Sequence, residues 1–437
     1  MNALLGLAAR SAWNRRGTLS LVLLSIALAT LLLLSLERMR ADVRQSFSQS
    51  VSGTDLIVGA RTGSVQLMLY AVFRVGGATN NVRMTSVEAI AKHRAVDWVV
   101  PLSLGDSHRG YPVLGTTTAY FERFRFGERE PLALAEGRAF RGDLDGLYDA
   151  VLGAEVAQAL GYRLGQRITL SHGMGAGADT SVAAGAAGGL PSADHADKPF
   201  TVTGILARTG TPVDRTVHVS LQAIEAIHLD WAGGAPMPGV GIAPEMARKF
   251  DLTPKQVTAA LVGLKNRVAV FNVQRFVAEY PDEALMAVLP GVALDELWDV
   301  VGVGERALLG MSAMVALVSL AGLVAVVLAG LNERRRELAV LRAVGAGPRH
   351  VLWLLACEGA LVTLLGVALG VVLTVLLVAA AGPWVQSQFG IGLKLVSPTA
   401  SQWWVLGAIV LAGVVASLVP GFRAYRMSLA DGLSPRT

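Results

Sequence analysis

Several side chains that could bind a metal ion lie close together in the sequence. His172, Asp194, His195 and Asp197 fall in or beside residues 171–199, a stretch rich in Gly, Ala, Ser and Asp. Imidazole nitrogens and carboxylate oxygens are ligands that Zn²⁺ takes in proteins. However, no two histidines are four residues apart, and solvated loops carry His and Asp without binding metal. The sequence therefore favours no bound metal, with His172 and His195 as the weaker alternative.

A glycine-rich turn makes nucleotide binding a second possibility. Residues Gly302, Gly304 and Ala307 have the G-x-G-x-x-A spacing, but a dinucleotide site needs a soluble helix next and an acid about 20 positions on. Here an apolar run follows, and the next acid beyond the motif is Glu333, 29 residues after Gly304. The chain contains no Gly-Lys pair and so no G-x-x-x-x-G-K-[ST] phosphate loop. We expect no catalytic residues and no cofactor bound by this chain.

Two features of the apolar runs could also have a function. Glu358 is the one charge in its run, so it could relay protons or anchor the helix through a polar contact. A relay uses several ionisable groups and the other apolar runs contain none, so we interpret Glu358 as an intramembrane polar anchor. Gly366 with Gly370, and Gly413 with Ser417, have the small-xxx-small spacing that lets membrane helices pack closely.

These features belong to a chain that is too apolar to be wholly soluble. Hydrophobic residues make up 53% of its 437 residues and charged residues only 16%. Because a transmembrane helix needs about 20 apolar residues, we predict four of them, at residues 18–36, 307–331, 351–381 and 403–420. The first is an uncleaved anchor, since its apolar run is longer than that of a signal peptide and no A-x-A site follows Leu36.

The distribution of charge predicts the orientation of these helices. Residues 37–306 hold 26 basic and 29 acidic residues, whereas the rest of the chain holds 12 basic and 4 acidic residues. The excess of arginine lies near the N-terminus (residues 1–17, predicted as a basic amphipathic helix), at residues 332–350 and in the tail at 421–437. The positive-inside rule puts these segments in the cytoplasm and residues 37–306 and 382–402 outside. The basic pI is thus a sign of topology, and we expect no nucleic-acid partner.

Residues 37–306 have the pattern of a folded α/β domain. Residues 54–59 and 200–206 are rich in β-formers, and residues 86–93 and 222–228 have apolar side chains at helical spacing. Residues 171–199 have too little apolar bulk to pack, so we predict a flexible insertion there. The predicted fold class is an α-helical membrane protein with four transmembrane helices and a large α/β extracytoplasmic domain between helices 1 and 2.

The segment after the second span carries the most specific pattern. It reads Asn332-Glu-Arg-Arg-Arg-Glu-Leu-Ala-Val-Leu-Arg-Ala-Val-Gly-Ala-Gly347, with charge at its start and Leu338 and Leu341 three residues apart. This spacing predicts a short amphipathic helix that ends at Gly345 or Gly347. An ordinary basic stop-transfer loop would explain the arginines but not the ordered apolar positions.

This segment resembles the coupling region of the MacB/FtsX-type ABC permeases, the type VII or mechanotransmission superfamily. The family pattern is approximately R-x-x-E-x-a-x-L-R-a-x-G-A, and it is matched by Arg334, Glu337, Ala339, Leu341, Arg342, Ala343, Gly345 and Ala346. The resemblance extends to the order of the spans, to residues 152–165 and 202–206 of the external domain, and to the tail from Pro420. The tail departs from the family at Leu429, where proline is frequent.

The resemblance implies a permease subunit of the bacterial inner membrane. Residues Arg334, Glu337, Leu338, Leu341, Arg342 and Gly345 would couple it to a separate ABC ATPase, which binds ATP and Mg²⁺. Further implied partners are a second permease copy, as homodimer or heterodimer, membrane lipids, and a periplasmic adaptor or lipoprotein. Export or extraction of a lipoprotein, peptide or small molecule is the first alternative. The second is a regulatory permease that acts on an external hydrolase, sensor or metal-handling partner.

Overall fold

The computed structural model describes residues 16–50, 52–77, 80–172, 195–232, 235–237, 241–333, 345, 347–389 and 399–426. The chain divides into two compact units. One, here called the helical unit, comprises Met1–Val43, Val301–Gln386 and Gly392–Thr437, and the other, the sheet unit, comprises Arg44–Val300 and Ser387–Ile391. The segments predicted at residues 1–17, 332–350 and 421–437 lie wholly or mostly outside the described residues.

The helices of the described residues are named in chain order. They are α1 (Arg16–Ser50), α2 (Ser64–Met68, continued by a π-helical turn at Leu69–Phe73), α3 (Met84–Ala91), α4 (Ala119–Arg123), α5 (Ala154–Leu160), α6 (Leu221–His228), α7 (Pro244–Ala247), α8 (Val270–Ala278), α9 (Pro290–Glu333), α10 (Pro348–Phe389) and α11 (Ala400–Arg426). Single 3₁₀ turns cover Leu144–Gly146, Pro212–Arg215 and Arg267–Ala269.

The strands of the described residues belong to the sheet unit. They are β1 (Leu56–Ala60), β2 (Val82–Arg83), β3 (Val96–His108), β4 (Tyr111–Thr116), β5 (Arg125–Phe126), β6 (Glu130–Pro131), β7 (Leu134–Gly137), β8 (Asp149–Leu152), β9 (Arg167–Ile168), β10 (Ser171–His172), β11 (Phe200–Leu206), β12 (Val217–Ser220), β13 (Trp231–Ala232), β14 (Ala235–Pro236), β15 (Gln256–Val257), β16 (Ala259–Leu264) and β17 (Leu285–Val288).

Four helices are long and apolar enough to cross a membrane, namely α1, α9, α10 and α11. Each is longer than the apolar run that predicted it, because polar residues after or before the run continue the same helix. In α1, for example, the apolar run ends at Leu36 but the helix continues to Ser50. These helices, with an α/β sheet unit between the first and the second, confirm the predicted fold class.

The sheet unit is organised by one 11-stranded mixed sheet. Its order is β17-β1-β16-β3-β4-β12-β8-β11-β7, with β10 paired to β3 and β9 paired to β11. The pairs β4–β12 and β8–β11 are parallel, and the other pairs of this sheet are antiparallel. Strands β1 and β8 are buried at every position, which explains their nearly continuous apolar sequence.

The long strand β3 contains a β-bulge that bears on the candidate site. Its register with β4 passes from Leu104 opposite Leu114 to Ser107 opposite Pro112, so β3 has one residue more than its partner. Gly105 lies in this interval with a φ of 149°, a value that side chains rarely allow. A bulge bends the strand and re-aims the side chains next to it, and Asp106 is the residue that follows.

The predicted local elements are found with small shifts. The strand predicted at 200–206 is β11, whose alternating burial puts Phe200, Val202 and Leu206 in the core. The helix predicted at 222–228 is α6, and Ser220 caps it by accepting a hydrogen bond from the backbone N–H of Ala223. The helix predicted at 86–93 begins two residues earlier, at Met84.

The segment predicted as a flexible insertion is part of the fold at both ends. Residues 173–194 lie outside the described residues, but Ser171 and His172 form β10, and the backbone N–H of His195 donates to Leu170 O at 2.8 Å. The side chains of His195 and Lys198 are fully buried. Composition missed this because two buried polar residues, rather than apolar ones, fix the returning chain.

Candidate functional site

The helical unit contains the predicted glycine contacts. Gly366 and Gly370 of α10 face α1, and a Cβ added to Gly370 would lie 2.6 Å from Thr30 Cβ and 2.7 Å from Ala27 O. A Cβ on Gly366 would lie 2.9 Å from Ile26 Cγ2. Glycine at these two positions is therefore what allows the backbones of α1 and α10 to approach closely.

The second small-residue pair connects α11 with α10. Gly413 faces Thr363, and Ser417 packs against Gly359, in both cases too closely for an added Cβ. The Ser417 hydroxyl is buried and lies 3.3 Å from the carbonyl oxygen of Ala356. Glu358 neighbours this contact in sequence and is 5% exposed. It is thus inside the helical unit, as an intramembrane carboxylate is expected to be.

Polar contacts also connect the ends of three apolar runs that the predicted topology puts on one side of the membrane. Arg40 of α1 forms an ion pair with Glu305 of α9 at 2.9 Å, and Glu37 of α1 accepts a hydrogen bond from Ser401 at the start of α11. The part of α1 just after its apolar run therefore lies beside the residues that precede the apolar runs of α9 and α11. An up-and-down path of the four helices requires this neighbourhood.

The predicted coupling residues Arg334, Glu337, Leu338, Leu341 and Arg342 lie outside the described residues. The sixth, Gly345, is described: it is exposed and has a φ of 104°. That backbone conformation strongly favours glycine, whatever the space around it. A glycine of this kind typically ends a helix, which is the role the sequence predicts for it.

The two histidines considered as metal ligands lie near each other in the sheet unit. The backbone of His172 pairs with that of Asp106 across β10 and β3, while the His172 side chain lies outside the described part. His195 packs its ring against Trp231 and His228, with centroid distances of 4.3 and 5.0 Å. The structure thus adds Asp106 and His228, two residues that sequence spacing did not single out.

Asp106, His195 and His228 form a compact group of potential ligands. Each offers one ligand atom, and these atoms all lie within 4.8 Å of one another. His228 Nε2 is 3.5 Å from Asp106 Oδ1, and Asp106 and His195 are buried. The neighbouring His108 is different, because its Nδ1 and Nε2 lie 2.6 Å from Thr169 O and 2.9 Å from the Tyr162 hydroxyl. Its ring nitrogens are already used.

The pKa values of the two histidines of this group are shifted in opposite directions. Burial, aided by the nearby His228, lowers the pKa of His195 to about 4. Burial also lowers the pKa of His228, but the hydrogen bond and charge of Asp106 outweigh it, so that the pKa is raised. At neutral pH, His195 is therefore a neutral imidazole with a lone pair.

Two family models match the chain. The model described as MacB-like periplasmic core domain matches residues 17–263, and that described as FtsX-like permease C-terminal matches residues 309–429. The first match alone covers more than half of the 437 residues. The chain belongs to the MacB/FtsX-type family of ABC transporter permeases, which confirms the resemblance recognised in the sequence. Members of this family are generally non-catalytic membrane subunits.

Two solved structures are similar to part of this chain at low sequence identity. The periplasmic region of MacB from Actinobacillus actinomycetemcomitans is similar to 57% of this chain over 97% of its own length, with 11% identity and a TM-score of 0.34. The extracellular domain of the noncanonic ABC-type transporter YknZ from Gram-positive bacteria is similar to 53% of this chain over 98% of its own length, with 11% identity and a TM-score of 0.28. A comparison with curated protein sequences finds no significant match.

Proposed function

We propose that this chain couples ATP hydrolysis by a separate ATPase subunit to movement of its external sheet unit. The observation that carries this proposal is the ordered pattern from Arg334 to Ala346 in a chain that belongs to the MacB/FtsX-type family. The positive φ of Gly345 supports it, since the pattern predicts a helix that ends there. The work done would be export or extraction of a substrate.

The composition of the spans favours mechanical coupling over a hydrophilic pathway. Within the four apolar runs, Glu358 is the one acidic or basic residue, and it is buried. A pathway for a polar substrate is usually lined by several ionisable or polar side chains. Such side chains are costly in a membrane span unless they face water or a partner, so they are rarely present without a function. Movement of the extracytoplasmic unit is therefore the output that we propose, in a dimer of permease subunits.

The charge asymmetry supports one orientation in the bacterial inner membrane. The segments outside residues 37–306 have 12 basic and 4 acidic residues, concentrated at the two termini and between α9 and α10. By the positive-inside rule, both termini and the coupling segment lie in the cytoplasm, where an ATPase is found. The sheet unit then lies in the periplasm.

A pair of substitutions at Leu341 tests the coupling to an ATPase. Leu341→Asp places a charge in the apolar stripe, where an ATPase groove would bury it, whereas Leu341→Met retains an apolar side chain of similar volume. We expect the Asp variant to reach the membrane in normal amounts but to lose co-purification with an ABC ATPase subunit. The Met variant should keep it. Normal co-purification and ATPase stimulation by Leu341→Asp would overturn the proposal.

A further inference from the structure

The ring of His195 is buried without a hydrogen-bond partner for either of its nitrogens in the part of the chain that the structure describes. None of its surface is exposed, and neither Nδ1 nor Nε2 has a hydrogen-bond partner among the described residues. A buried polar group without a hydrogen-bond partner is destabilising. The backbone nevertheless holds the residue firmly, because its N–H donates to Leu170 O at 2.8 Å and its carbonyl accepts from the Lys198 N–H at 3.2 Å.

The missing partner can be inferred from the two groups that face His195. Asp106 comes from β3, directly after the bulge at Gly105, and His228 comes from the last position of α6. These elements bring a carboxylate and a second imidazole to within 4.8 Å of His195, although 89 residues separate Asp106 from His195 in the chain. A bulge that re-aims one ligand is typical of functional positions in a sheet.

His228 has the second hydrogen bond that a metal ligand requires. Its Nδ1 lies 2.8 Å from the carbonyl oxygen of Ile224, so Nδ1 carries the proton and donates to that oxygen. This leaves Nε2, the atom 3.5 Å from Asp106 Oδ1, as the atom with the lone pair in the neutral ring. Metal-binding histidines are commonly oriented in this way by a backbone carbonyl.

We propose that Asp106, His195 and His228 bind a divalent transition-metal ion, for which Zn²⁺ is the best fit. Two imidazole nitrogens and one carboxylate oxygen suit Zn²⁺, whereas Ca²⁺ and Mg²⁺ take oxygen ligands. Tetrahedral ligands with bonds of about 2.0–2.1 Å lie about 3.4 Å apart, so small side-chain shifts would close the site around the ion. A fourth position remains for water or another ligand.

The alternative occupant is a water molecule beside an Asp106–His228 ion pair. Water could satisfy one nitrogen of His195 without requiring all three side chains to converge. The two occupants differ in their dependence on the ligand set. A metal site needs each of the three side chains, whereas a water site gives no affinity for Zn²⁺.

The direct test is a Zn²⁺ titration of the full-length protein in detergent. The protein carries a non-histidine affinity tag and Cys357→Ala, which excludes zinc binding by the tag or by the single thiol. After treatment with a chelator, it is titrated with Zn²⁺ against a chromophoric competitor. We expect one ion per chain with submicromolar affinity, no competition from Mg²⁺ or Ca²⁺, and visible absorption of a four-coordinate ion when Co²⁺ replaces Zn²⁺.

Variants then assign the ligands. Asp106→Asn, His195→Gln and His228→Gln should each weaken Zn²⁺ binding by roughly 100-fold or more, because each removes one of three protein ligands. His93→Gln is the matched control, since His93 is in the same unit but packs against Phe276, away from the site. Excess Zn²⁺ should raise the thermal midpoint of the parent protein and of His93→Gln.

Two results would overturn the proposal. One is the absence of submicromolar Zn²⁺ binding by the folded parent protein. The other is binding that all three ligand variants retain. Both results are read without an ATPase, so the metal site and the coupling to an ATPase are tested independently of each other.

Discussion

Lys198 Nζ lies 2.8 Å from both carboxylate oxygens of Asp230, at a position where none of the lysine side chain is exposed. Asp197 Oδ2, on a half-exposed side chain, lies 2.7 Å from the same ammonium. This ion pair fastens the chain that follows residue 194 to the segment after α6. It thereby helps to hold His195 where the candidate metal site needs it.

We expect loss of this pair to destabilise the sheet unit. Lys198→Met leaves the Asp230 carboxylate buried without its cation, and breaking a buried ion pair in this way typically costs about 3–5 kcal/mol. The thermal midpoint of the purified protein should fall clearly. Asp197→Asn is the control, because a half-exposed pair contributes little and its loss should change the midpoint slightly. Equal effects of the two variants would contradict this interpretation.

A buried histidine away from the metal candidate should make stability depend on pH. Burial, together with the charge of Arg74, lowers the pKa of His218 from 6.5 to about 3. Its ring contacts Tyr120, and its Nδ1 lies 3.3 Å from Val151 O. Below pH 6.5 the imidazole of His218 binds a proton in the unfolded chain but not in the folded chain. The free energy of unfolding therefore falls progressively as the pH decreases from 6.5 to about 3.

The measurement is the thermal midpoint of the parent and of His218→Leu between about pH 7.5 and pH 5. As the pH decreases, the midpoint of the parent should fall more steeply than that of His218→Leu. The difference between the two unfolding free energies should change by at most about 1.4 kcal/mol per pH unit, which is the limit for one proton. Parallel curves for the parent and His218→Leu would contradict the prediction.

The contact between α1 and α10 predicts that alanine at Gly370 lowers thermal stability, whereas alanine at a glycine with open space around it does not. Gly370→Ala places a Cβ within 2.7 Å of Ala27 O and should lower the thermal stability of the helical unit, because the helices must separate. Gly407→Ala meets no atom within 4 Å and should be neutral or stabilising by up to about 1 kcal/mol, as alanine usually is in a helix. A gain of stability in both variants would exclude close packing at Gly370.

We expect that the insertion can be shortened without unfolding the sheet unit. His195 N–H bonds to Leu170 O, so the two ends of the segment lie side by side and a short connection can close them. We expect deletion of residues 173–189 to leave the thermal midpoint nearly unchanged, since loop closure depends weakly on length. The deleted protein should also keep its Zn²⁺ affinity, and the double variant His172→Ala with His195→Ala should lose it. Unfolding on deletion would show that the insertion contributes to the core.

The proposed orientation can be tested by thiol labelling in spheroplasts. In a Cys357→Ala background, an impermeant thiol reagent should label a cysteine at Ala187 and should not label one at Arg335 unless the cells are lysed. This follows from the basic segments staying in the cytoplasm. The reverse pattern of labelling would contradict the interpretation of the charge asymmetry.

Local elements of the fold could be predicted because their signals are short-range. The alternation of buried and less buried side chains in β11 and the apolar spacing in α6 each lie within a few consecutive residues. The apolar runs likewise predict the four long helices. The sheet order could not be predicted, because neighbours such as β1 and β16 are joined by more than 190 residues of intervening chain. Pairing at that distance leaves no periodic trace in the sequence.

The candidate metal site shows the same limit. The composition of residues 171–199 drew attention to His195, but it also suggested that the segment cannot pack. Asp106 and His228 belong to a strand and a helix whose patterns look ordinary. Their proximity depends on three-dimensional pairing and on the bulge in β3. The sequence did contain one signal, which is the isolated glycine before Asp106. A glycine within a strand often marks a bulge.

That bulge also changes the parity of β3. Side chains of a strand alternate between two faces with period two, and the extra residue between Leu104 and Ser107 shifts every later position by one step. A rule of strict alternation that fits the strand from Trp98 to Leu104 therefore assigns Ser107 and His108 to the wrong faces unless it is restarted at Gly105. Deletion of Gly105 would restore one alternation through the whole strand and leave Ser107 opposite Pro112, because the deleted residue is the extra one.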